Sequence, residues 1–383
     1  MKRIVFINQD SGYLMIDIIT EYVNKGYDCI LFTGRLVERN RKLPQSVKIE
    51  KIIRYRRTSK LYRLFTWSIG FIQILTKLLI KYPSDELFIV SNPPLAPLLP
   101  LFLQNQFSLL IFDIYPDVLV ELGYSAPTSA IVLLWQKLNR KIYPKASEVY
   151  TISEGMGQVL KKYRSEASLK VNYIWTDNTF FTHVSRENNH FIKAHNLSGK
   201  FVVMYSGNLG LAGDVEVMIS VAGMICRDDI VFIIIGEGAK KKLISSKIEA
   251  LGPEKKNVIL LPWQPVGQLP YTFSAASLAV ISLGAGASKL AIPSKIFNFM
   301  SVGAPLLCIS EAGSEIERLV EKYNCGKNFE PSDIEGIAWF IQKMADDNVL
   351  MEKMSMNSLL ASRDFSVKNA GNFLPDGNIA FNY

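Results

Sequence analysis

A strand–loop–helix pattern in the second half of the chain contains the residue types that hold a phosphate group. An apolar run, Leu278–Ser288, ends in small residues, and the segment that follows, Pro293–Leu306, reads PSKIFNFMSVGAPL. The N-terminus of a helix presents unpaired backbone N–H groups and the positive end of a dipole. Lys295 would add a full positive charge there, and Ser294 would cap the helix. This order of elements predicts a βαβ unit with a charged nucleotide ligand.

Two glycine-containing loops earlier in the chain have the same context. The segment Tyr205–Gly210, YSGNLG, follows a predicted strand, and GEG at Gly236–Gly238 follows the apolar run VFIII. Glycine lets the backbone approach a phosphate closely. The lysines of Lys240–Lys242 would either steer a diphosphate or form only a solvated first helical turn. The residues predicted to contact the ligand in these loops are Ser206, Gly207, Asn208, Gly236, Glu237 and Gly238.

A different enzyme class shares part of this pattern. The glycines of Gly207–Gly213 spell GxxGxxG, as in short-chain dehydrogenases, and Tyr323–Lys327 spells YxxxK. Gly326 lies inside that second motif and disfavours the helix that it requires. The glycine motif also comes after a complete α/β half. Because short glycine patterns recur by chance, we rank a nicotinamide cofactor low.

In the first half of the chain, three residues follow strands or begin helices in the same way. Gly12 comes after the first strand and would let the backbone approach a phosphate or an acceptor, unless it only forms a turn. Asp113 ends a predicted apolar strand, so its carboxylate would emerge at the carboxyl end of that strand. Asp117 begins the next helix, where carboxylates are common for structural reasons alone.

Six segments of the chain resemble, in their order, the motifs of one enzyme family. The chain resembles the GT-B fold retaining glycosyltransferases of family 4, in particular bacterial surface-polysaccharide members of the group 1 type, over residues 1–366. The segments are SNPP at Ser91–Pro94, DIYPD at Asp113–Asp117, TISEGM at Thr151–Met156, YSGNLG at Tyr205–Gly210, GEG at Gly236–Gly238 and PSK at Pro293–Lys295.

The resemblance implies transfer of a sugar from a nucleoside-diphosphate donor, UDP or GDP, to a hydroxyl of a lipid-linked glycan. The setting would be cell-surface polysaccharide biosynthesis, such as that of O-antigen or capsule. The reaction would retain the anomeric configuration of the sugar and would need no metal or other cofactor. Asp113, with Asp117, would face the acceptor as a catalytic carboxylate. Trp263 and Gln264 would contact the nucleotide base. Helix N-termini and Lys295 would stabilise the leaving diphosphate.

The chain departs from the family at positions that bind the diphosphate and the ribose. Many members carry an Arg and a Lys where this chain has Asn208 and Ala212, so Lys295 would be the main remaining cation. Many also carry a ribose-binding glutamate where this chain has Asn298, which still offers hydrogen bonds but no charge. Two alternatives therefore stay open: a nucleotide-sugar epimerase or hydrolase of the same fold, and a non-catalytic scaffold of a polysaccharide-assembly complex.

Apolar runs alternate with helical periodicity, which predicts parallel sheets covered by helices on both faces. We expect an α/β protein of GT-B type, with two facing doubly wound Rossmann-like domains and a ligand cleft between them. The predicted divisions are an acceptor-side domain over 1–175, a linker over 176–200, a donor domain over 201–360, and a C-terminal helix and tail over 361–383 that packs back toward the first domain. The predicted strands are Ile4–Ile7, Asp28–Thr33, Leu87–Ser91, Leu109–Ile114, Glu148–Ile152, Phe201–Ser206, Ile230–Ile235, Val258–Leu261, Leu278–Ser282 and Pro305–Ile309.

Composition sets the wider context of the chain. Of its 383 residues, 49% are hydrophobic and 20% charged, with a net charge of +8, which predicts a large core and a basic surface. No nucleic-acid signature accompanies the charge, so a nucleic-acid partner ranks last. The four cysteines form no CxxC pair and the three histidines match no metal pattern, so no metal site is predicted. Two cysteines in apolar runs indicate a reducing cytoplasm.

The stretch over residues 51–82 is a membrane candidate. Its apolar part, Leu61–Tyr82, is interrupted by polar residues such as Gln73 and Lys77, which argues against a membrane span. Basic residues beside an apolar helix indicate either a helix resting on the anionic inner face of the cytoplasmic membrane or an ordinary core helix with a solvated approach. The basic residues are Lys51, Arg54, Arg56, Arg57, Lys60 and Arg63.

Overall fold

A computed structural model describes residues 2–38, 40–56, 60–121, 123–165, 169–210, 213–252, 257–284 and 292–375 of the chain. The contacts within the chain divide it into two compact units. The first unit contains the chain through Ile174 together with the segment from Val367, and the second unit runs from Trp175 to Ser366.

The first unit is built on parallel strands with helices between them. Its strands are β1 (Arg3–Ile7), β2 (Asp10–Ser11), β3 (Asp28–Thr33), β4 (Arg35–Leu36), β5 (Lys48–Lys51), β6 (Glu86–Val90), β7 (Phe107–Ile111), β8 (Val149–Thr151) and β9 (Leu169–Val171). Its α-helices are α1 (Tyr13–Asn24), α2 (Lys60–Lys81), α3 (Asp117–Glu121), α4 (Ala130–Ile142) and α5 (Glu154–Leu160). Short 3₁₀ helices cover Ala96–Leu101, Tyr143–Lys145 and Val367–Phe373.

Seven of these strands form one sheet in the order β5-β3-β1-β6-β7-β8-β9, and every neighbouring pair is parallel. The central strands are apolar throughout because helices cover both faces of a parallel sheet. Val5, Phe6 and Ile7 of β1 have no exposed surface. The short strands β2 and β4 pair separately from this sheet.

The second unit has a six-stranded parallel sheet in the order β12-β11-β10-β13-β14-β15. Its strands are β10 (Phe201–Ser206), β11 (Ile230–Ile235), β12 (Val258–Leu261), β13 (Leu278–Ser282), β14 (Leu306–Ile309) and β15 (Gly326–Phe329). Its α-helices are α6 (His190–Ala194), α7 (Val217–Met224), α8 (Lys241–Ala250), α9 (Leu269–Ser274), α10 (Lys295–Ser301), α11 (Glu315–Tyr323), α12 (Ile334–Asp346) and α13 (Asn348–Ser362). Both units are thus doubly wound, as predicted.

One predicted strand ends earlier in the structure than expected, and this moves a candidate catalytic residue. The sequence predicts a strand over Leu109–Ile114, but β7 ends at Ile111. The next two backbone N–H groups, of Phe112 and Asp113, donate to the Ser91 hydroxyl oxygen over 2.9 and 3.3 Å instead of continuing the ladder. Asp113 therefore lies in the loop after the strand rather than at its last position.

The stretch predicted as a linker, residues 176–200, lies within the second unit. The Arg186 guanidinium donates to two backbone carbonyls of the same stretch, and the Asn189 amide donates to the carbonyl of Tyr271 over 2.8 Å. His183 Nδ1 lies 2.9 Å from the carbonyl oxygen of Val302. Polar residues that suggest a solvated linker instead hold this stretch against the unit through side-chain-to-backbone hydrogen bonds.

The described part of the C-terminal segment crosses to the first unit. The Tyr22 hydroxyl donates to the carbonyl of Phe373 over 2.8 Å, and the Asn172 amide donates to the carbonyl of Asn372 over 3.0 Å. The Phe373 ring is buried, 5.2 Å from the ring of Tyr150. The crossing begins near Val367 rather than at residue 361, because α13 continues to Ser362.

Candidate functional site

The second unit brings the loops after β10 and β11 to one edge of its sheet. The strand order reverses between β10 and β13, and doubly wound sheets bind ligands at the carboxyl ends of strands at such a point. The Gly207 N–H donates to the carbonyl of Ile235 over 2.8 Å. The Leu209 N–H donates to the carbonyl of Glu237 over 2.9 Å. These hydrogen bonds fasten the two loops to each other.

The two glycines of the GEG segment are required by this close approach. A Cβ atom on Gly236 would lie 1.8 Å from the carbonyl oxygen of Gly207, and one on Gly238 would lie 2.3 Å from that of Leu209. Both glycines also have positive φ angles, +154° and +157°. Any larger residue would push the loops apart, so these glycines shape the edge through backbone packing.

The lysines that follow the GEG segment are engaged within the protein. The Lys240 ammonium donates to the carbonyl of Gly213 over 2.7 Å and to the Glu216 carboxylate over 2.8 Å. The Lys241 ammonium donates to the Glu237 carboxylate over 2.7 Å. Two of the three lysines, and one predicted ligand-contacting residue, therefore form ion pairs that hold the first turn of α8.

Lys295, the first residue of α10, differs from Lys240 and Lys241 in that no described residue pairs with it. It is half-buried, and within the described ranges its ammonium has no hydrogen-bond or ion-pair acceptor. The ammonium nitrogen lies 5.6 Å from the centroid of the Trp263 ring, which is half exposed. Burial lowers the pKa of Lys295 to about 8, and no described carboxylate offsets that effect. A desolvated ammonium without an anionic partner is a binding position for an anion.

Ser294 does not cap α10 as predicted. Its backbone already has helical angles, φ −54° and ψ −21°, and its side chain makes no capping hydrogen bond. A capping residue needs an extended backbone to turn its hydroxyl toward the free N–H groups. The turn instead begins one residue earlier, since the Ile296 N–H donates to the carbonyl of Pro293 over 3.0 Å.

The other predicted donor residues of the second unit have identifiable surroundings. Asn298 Oδ1 accepts a 2.6 Å hydrogen bond from the Thr176 hydroxyl, which orients the amide. Gln264 is half-buried, and its amide donates to the carbonyl of Pro262 over 3.0 Å. Ser206 is the buried last residue of β10, and Asn208 is exposed beside it. Ala212 lies outside the described residues.

Gly12, predicted to contact the donor, lies in the first unit, whereas the other predicted donor residues belong to the second unit. It precedes α1 and borders a cavity of about 110 Å³ that is also lined by Asn8, Asp10 and Phe112. A Cβ atom on Gly12 would have no atom within 4 Å. The space beside Gly12 is therefore open, and the backbone there does not require glycine.

The two candidate catalytic aspartates have different surroundings. Asp113 is exposed in the loop after β7. Asp117 is buried, and its carboxylate accepts hydrogen bonds from the Lys162 ammonium and, over 2.6 Å, from the Tyr163 hydroxyl. The Gln136 amide adds a longer contact of 3.4 Å. A buried carboxylate with these partners joins α3, α4 and the turn that follows α5, which favours a structural role for Asp117 over the predicted catalytic one.

The sequence analysis missed four aromatic side chains near Asp113. The Tyr115 ring stacks on Trp135 at 5.7 Å with an interplanar angle of 17°, and its edge faces Trp67 at 6.5 Å. The Tyr55 ring lies 5.9 Å from Trp67. We call Tyr55, Trp67, Tyr115 and Trp135 the aromatic cluster. Its members come from four separate segments, and the one local signal was Tyr115 inside the DIYPD motif.

Over the described ranges, no three His, Cys, Asp or Glu side chains lie close enough together to hold a metal ion.

Comparison with known proteins finds similarity to glycosyltransferases. Residues 185–359 match the family model described as glycosyl transferases group 1. The chain is 28% identical over 269 residues to the probable glycosyltransferase WbjE of Pseudomonas aeruginosa, covering 69% of this chain and 66% of that protein. It is 26% identical over 139 residues to WcaI of Escherichia coli K12, named as a colanic acid biosynthesis glycosyl transferase, covering 36% of this chain and 34% of that protein.

A solved structure shares the fold of nearly the whole chain. The crystal structure of Anabaena Alr3699/HepE in complex with UDP and glucose superimposes with a TM-score of 0.73 and covers 97% of both chains at 16% sequence identity. This similarity confirms the predicted GT-B type of α/β fold.

Proposed function

We propose that this protein transfers a sugar from a nucleoside-diphosphate sugar to a hydroxyl of a growing glycan, since residues 185–359 match the family model described as glycosyl transferases group 1. The transfer would retain the anomeric configuration and require no metal. UDP is the first nucleotide to test, since the similar Anabaena structure is a complex with UDP. The WcaI name, which refers to colanic acid biosynthesis, supports polysaccharide biosynthesis as the setting. The proposed acceptor is lipid-linked, as expected for O-antigen or capsule.

The observation that carries this proposal is the half-buried ammonium of Lys295 at the first residue of α10, which has no acceptor among the residues that the structure describes. Departure of a nucleoside diphosphate develops negative charge on the leaving oxygen. A preorganised cation in a partly desolvated position stabilises such charge more than water does. Trp263, whose ring faces the same ammonium, would offer its exposed surface to the base.

On the first unit, the exposed carboxylate of Asp113 is the candidate for orienting the acceptor hydroxyl or assisting its deprotonation. Asp117, whose carboxylate is saturated, would hold the DIYPD segment in place instead. The division of roles is therefore one catalytic carboxylate and one structural carboxylate within the same motif.

The test is calorimetric titration of UDP, GDP and their glucose conjugates in the presence of EDTA, on the native protein and on Lys295→Ala. Loss of a charge-assisted contact predicts at least ten-fold weaker binding of the preferred nucleotide. Lys242→Ala, which removes an exposed charge from the neighbouring α8, is the matched control and should bind normally. If Lys295→Ala binds the nucleotide as tightly as the native protein does, or if the native protein binds none, the assignment of the donor site to Lys295 is wrong. Binding without any transfer or hydrolysis across a broad acceptor set would indicate the scaffold alternative.

The protein is also proposed to rest on an anionic membrane surface from the cytoplasmic side. The inner stripe of α2, at Thr66, Gly70, Ile74 and Leu78, is buried against the first unit. The outer face stays apolar and exposed: Leu61 is 80% and Ile72 60% exposed. By length and composition alone, Leu61–Lys81 could also cross a membrane, but its buried stripe favours a helix lying in the interface.

Charge and neighbouring apolar surface support the interfacial orientation. Within the described residues, the exposed Arg54 and Arg56 guanidinium groups have no acceptor, so both remain available to lipid phosphates. Ile131 and Leu134 of α4 are also more than half exposed. Arg57 and the Lys60 side chain lie outside the described residues.

Vesicle flotation tests this orientation. The native protein should float with vesicles that contain phosphatidylglycerol at low salt, and less at high salt because screening weakens the attraction. Purely zwitterionic vesicles are the control. The double variant Arg54→Gln/Arg56→Gln should lose most of the salt-sensitive binding. Absence of flotation at every ionic strength would exclude the membrane surface without affecting the donor site.

A further inference from the structure

We propose that the aromatic cluster and the Arg63 guanidinium form a binding site for a phosphorylated sugar on the first unit. The inference rests on the proposed function, because it assigns the acceptor end of the transfer to particular side chains. It adds two recognition elements that the sequence motifs do not contain: aromatic faces for a sugar ring, and a guanidinium group for a phosphate beside that ring.

The shape of the aromatic cluster is the first step of the argument. All four rings are half-buried, so each keeps part of its surface available while its position is fixed by packing. Tyr115 and Trp135 stack nearly parallel, and Trp67 meets the Tyr115 edge at 70°. Such rings combine a flat apolar surface with polar O–H and N–H groups at their edges. A pyranose ring has the complementary character, with an apolar C–H face and a rim of hydroxyls.

The indole nitrogen of Trp67 is the second step. It is buried and has no hydrogen-bond partner within the described ranges. A buried donor without a partner destabilises a protein by about 1–3 kcal/mol, and natural structures contain few of them. A ligand hydroxyl or phosphate oxygen that accepted this N–H would remove the penalty on binding. A polar ligand at the cluster would therefore give the Trp67 N–H an acceptor.

The charges beside Tyr115 are the third step. Burial and then the Asp113 carboxylate raise the pKa of Tyr115, whereas the positive charge of Arg63 lowers it, so both charges act on the same phenol. Arg63 is half-buried and has no acceptor in the described part of the chain. A guanidinium group presents a planar fork of donors that matches the oxygens of a phosphate.

These steps together favour a sugar phosphate over the other ligands that aromatic rings accept. The nucleotide is already assigned to the second unit, at Lys295, so the ligand of the first unit must carry the attacking hydroxyl. The Asp113 carboxylate, beside the rings, would accept a hydrogen bond from that hydroxyl. The Arg63 guanidinium, which has no acceptor among the described residues, would bind a second, anionic group of the ligand. A hexose 1-phosphate contains both groups together with a ring whose C–H face can stack on the aromatic cluster.

Ligand-observed NMR on the full-length protein tests the site. Glucose 1-phosphate, galactose 1-phosphate and N-acetylglucosamine 1-phosphate are the probes, with the free sugars, inorganic phosphate and UMP as comparisons. We expect saturation transfer to the C–H protons of at least one hexose phosphate, and at least ten-fold weaker binding of that probe in Arg63→Gln. Trp135→Ala should also lose the signal, and the free sugar should bind at least ten-fold more weakly than its phosphate.

Matched variants and a second reactant separate this proposal from others. Trp339→Ala and Arg363→Gln remove an exposed tryptophan and an exposed arginine from the second unit and should leave the signal unchanged. UDP affinity, measured in parallel, should be unchanged in Arg63→Gln, so a failed acceptor site is distinguishable from a failed donor site. The proposal is overturned if none of the hexose phosphates transfers saturation, if UMP competes for the Arg63-dependent site, or if Arg63→Gln loses only binding to phosphatidylglycerol vesicles. The last result would assign Arg63 to a lipid headgroup.

Discussion

The ammonium nitrogen of Lys295 lies 5.6 Å from the centroid of the Trp263 ring, and in the described residues no carboxylate or carbonyl oxygen accepts from it. Trp263 lies in the loop after β12, and Lys295 is the first residue of α10. Attraction between a cation and an aromatic face is weaker than an ion pair, so it stabilises the charge only in part. The ammonium therefore keeps most of its capacity to bind an anion.

This relationship predicts how donor binding depends on pH. In the ligand-free protein Lys295 loses its proton as the pH rises through about 8, the pKa that burial gives it. A bound diphosphate favours the ammonium, so binding above that pH takes up a proton and weakens by as much as about ten-fold for each pH unit. Titrations of UDP-glucose between pH 6.5 and 9 should show this decline.

Lys295→Arg is the control for that pH profile. Arginine stays charged throughout this range, so the variant should lose the decline even if its affinity is lower. A native protein whose affinity for UDP-glucose is constant between pH 6.5 and 9 would contradict the assignment of Lys295 to the diphosphate.

A pair of substitutions separates the two aspartates of the DIYPD motif. Asp113→Asn keeps the size of the side chain and removes its charge, and should lower turnover by about 10²–10⁴-fold if the carboxylate orients or deprotonates the acceptor. Asp117→Asn should instead lower the free energy of unfolding by about 1–3 kcal/mol, because the buried contacts to Lys162 and Tyr163 lose their charge. Steady-state kinetics and urea unfolding measure the two effects. Reversal of this pattern would exchange the roles of the two residues.

The Glu50 carboxylate should make the free energy of unfolding depend on pH in the acidic range. Glu50 is buried, and a hydrogen bond from Lys77, followed by one from Tyr82, lowers its pKa from 4.5 to about 2 despite the opposing effect of burial. Its contribution is therefore complete above pH 4.5 and is lost as the pH falls toward 2.

Glu50→Gln should lower the free energy of unfolding by about 2 kcal/mol at pH 7, a value reduced from the full shift because the lysines are partly exposed. The difference from the native protein should shrink below pH 4.5. Urea unfolding from pH 7 to pH 3.5 measures it. A difference that stays constant over that range would show that Glu50 contributes through packing rather than charge.

Substitution by alanine should have different effects on stability at Gly236 and at Gly12, although both glycines follow predicted strands. Gly236→Ala places a Cβ atom 1.8 Å from a backbone oxygen and should destabilise the fold by about 2–4 kcal/mol while weakening UDP binding. Gly12→Ala should leave the unfolding midpoint unchanged, because its backbone is extended at φ −135° and the added atom meets open space. Thermal unfolding compares them. A loss of turnover in stable Gly12→Ala would show that a ligand uses that space, and unchanged turnover would leave Gly12 as a simple turn.

Local patterns were sufficient for the α/β class and for most strands. Apolar runs such as Phe201–Ser206 and Ile230–Ile235 form strands with the predicted bounds, because a strand buried on both faces is apolar at every position and polar residues mark its ends. The ordered motifs likewise predicted the family that residues 185–359 match. Short strands such as β5 and β9 were missed, since edge positions carry too few apolar residues to be recognised.

The chemical state of individual side chains was decided by tertiary contacts. Nothing local distinguishes Lys240 from Lys295, yet one is paired with Glu216, 24 residues away, and the other has no described acceptor. Asp113 and Asp117 stand in one motif, but Lys162 and Tyr163, more than forty residues away, saturate only the second. Sequence alone determined the order of the elements and the types of residue available at their ends. Which of those residues remain available to a ligand depended on partners distant in the chain, because a charge is satisfied by whatever the fold brings within hydrogen-bonding distance.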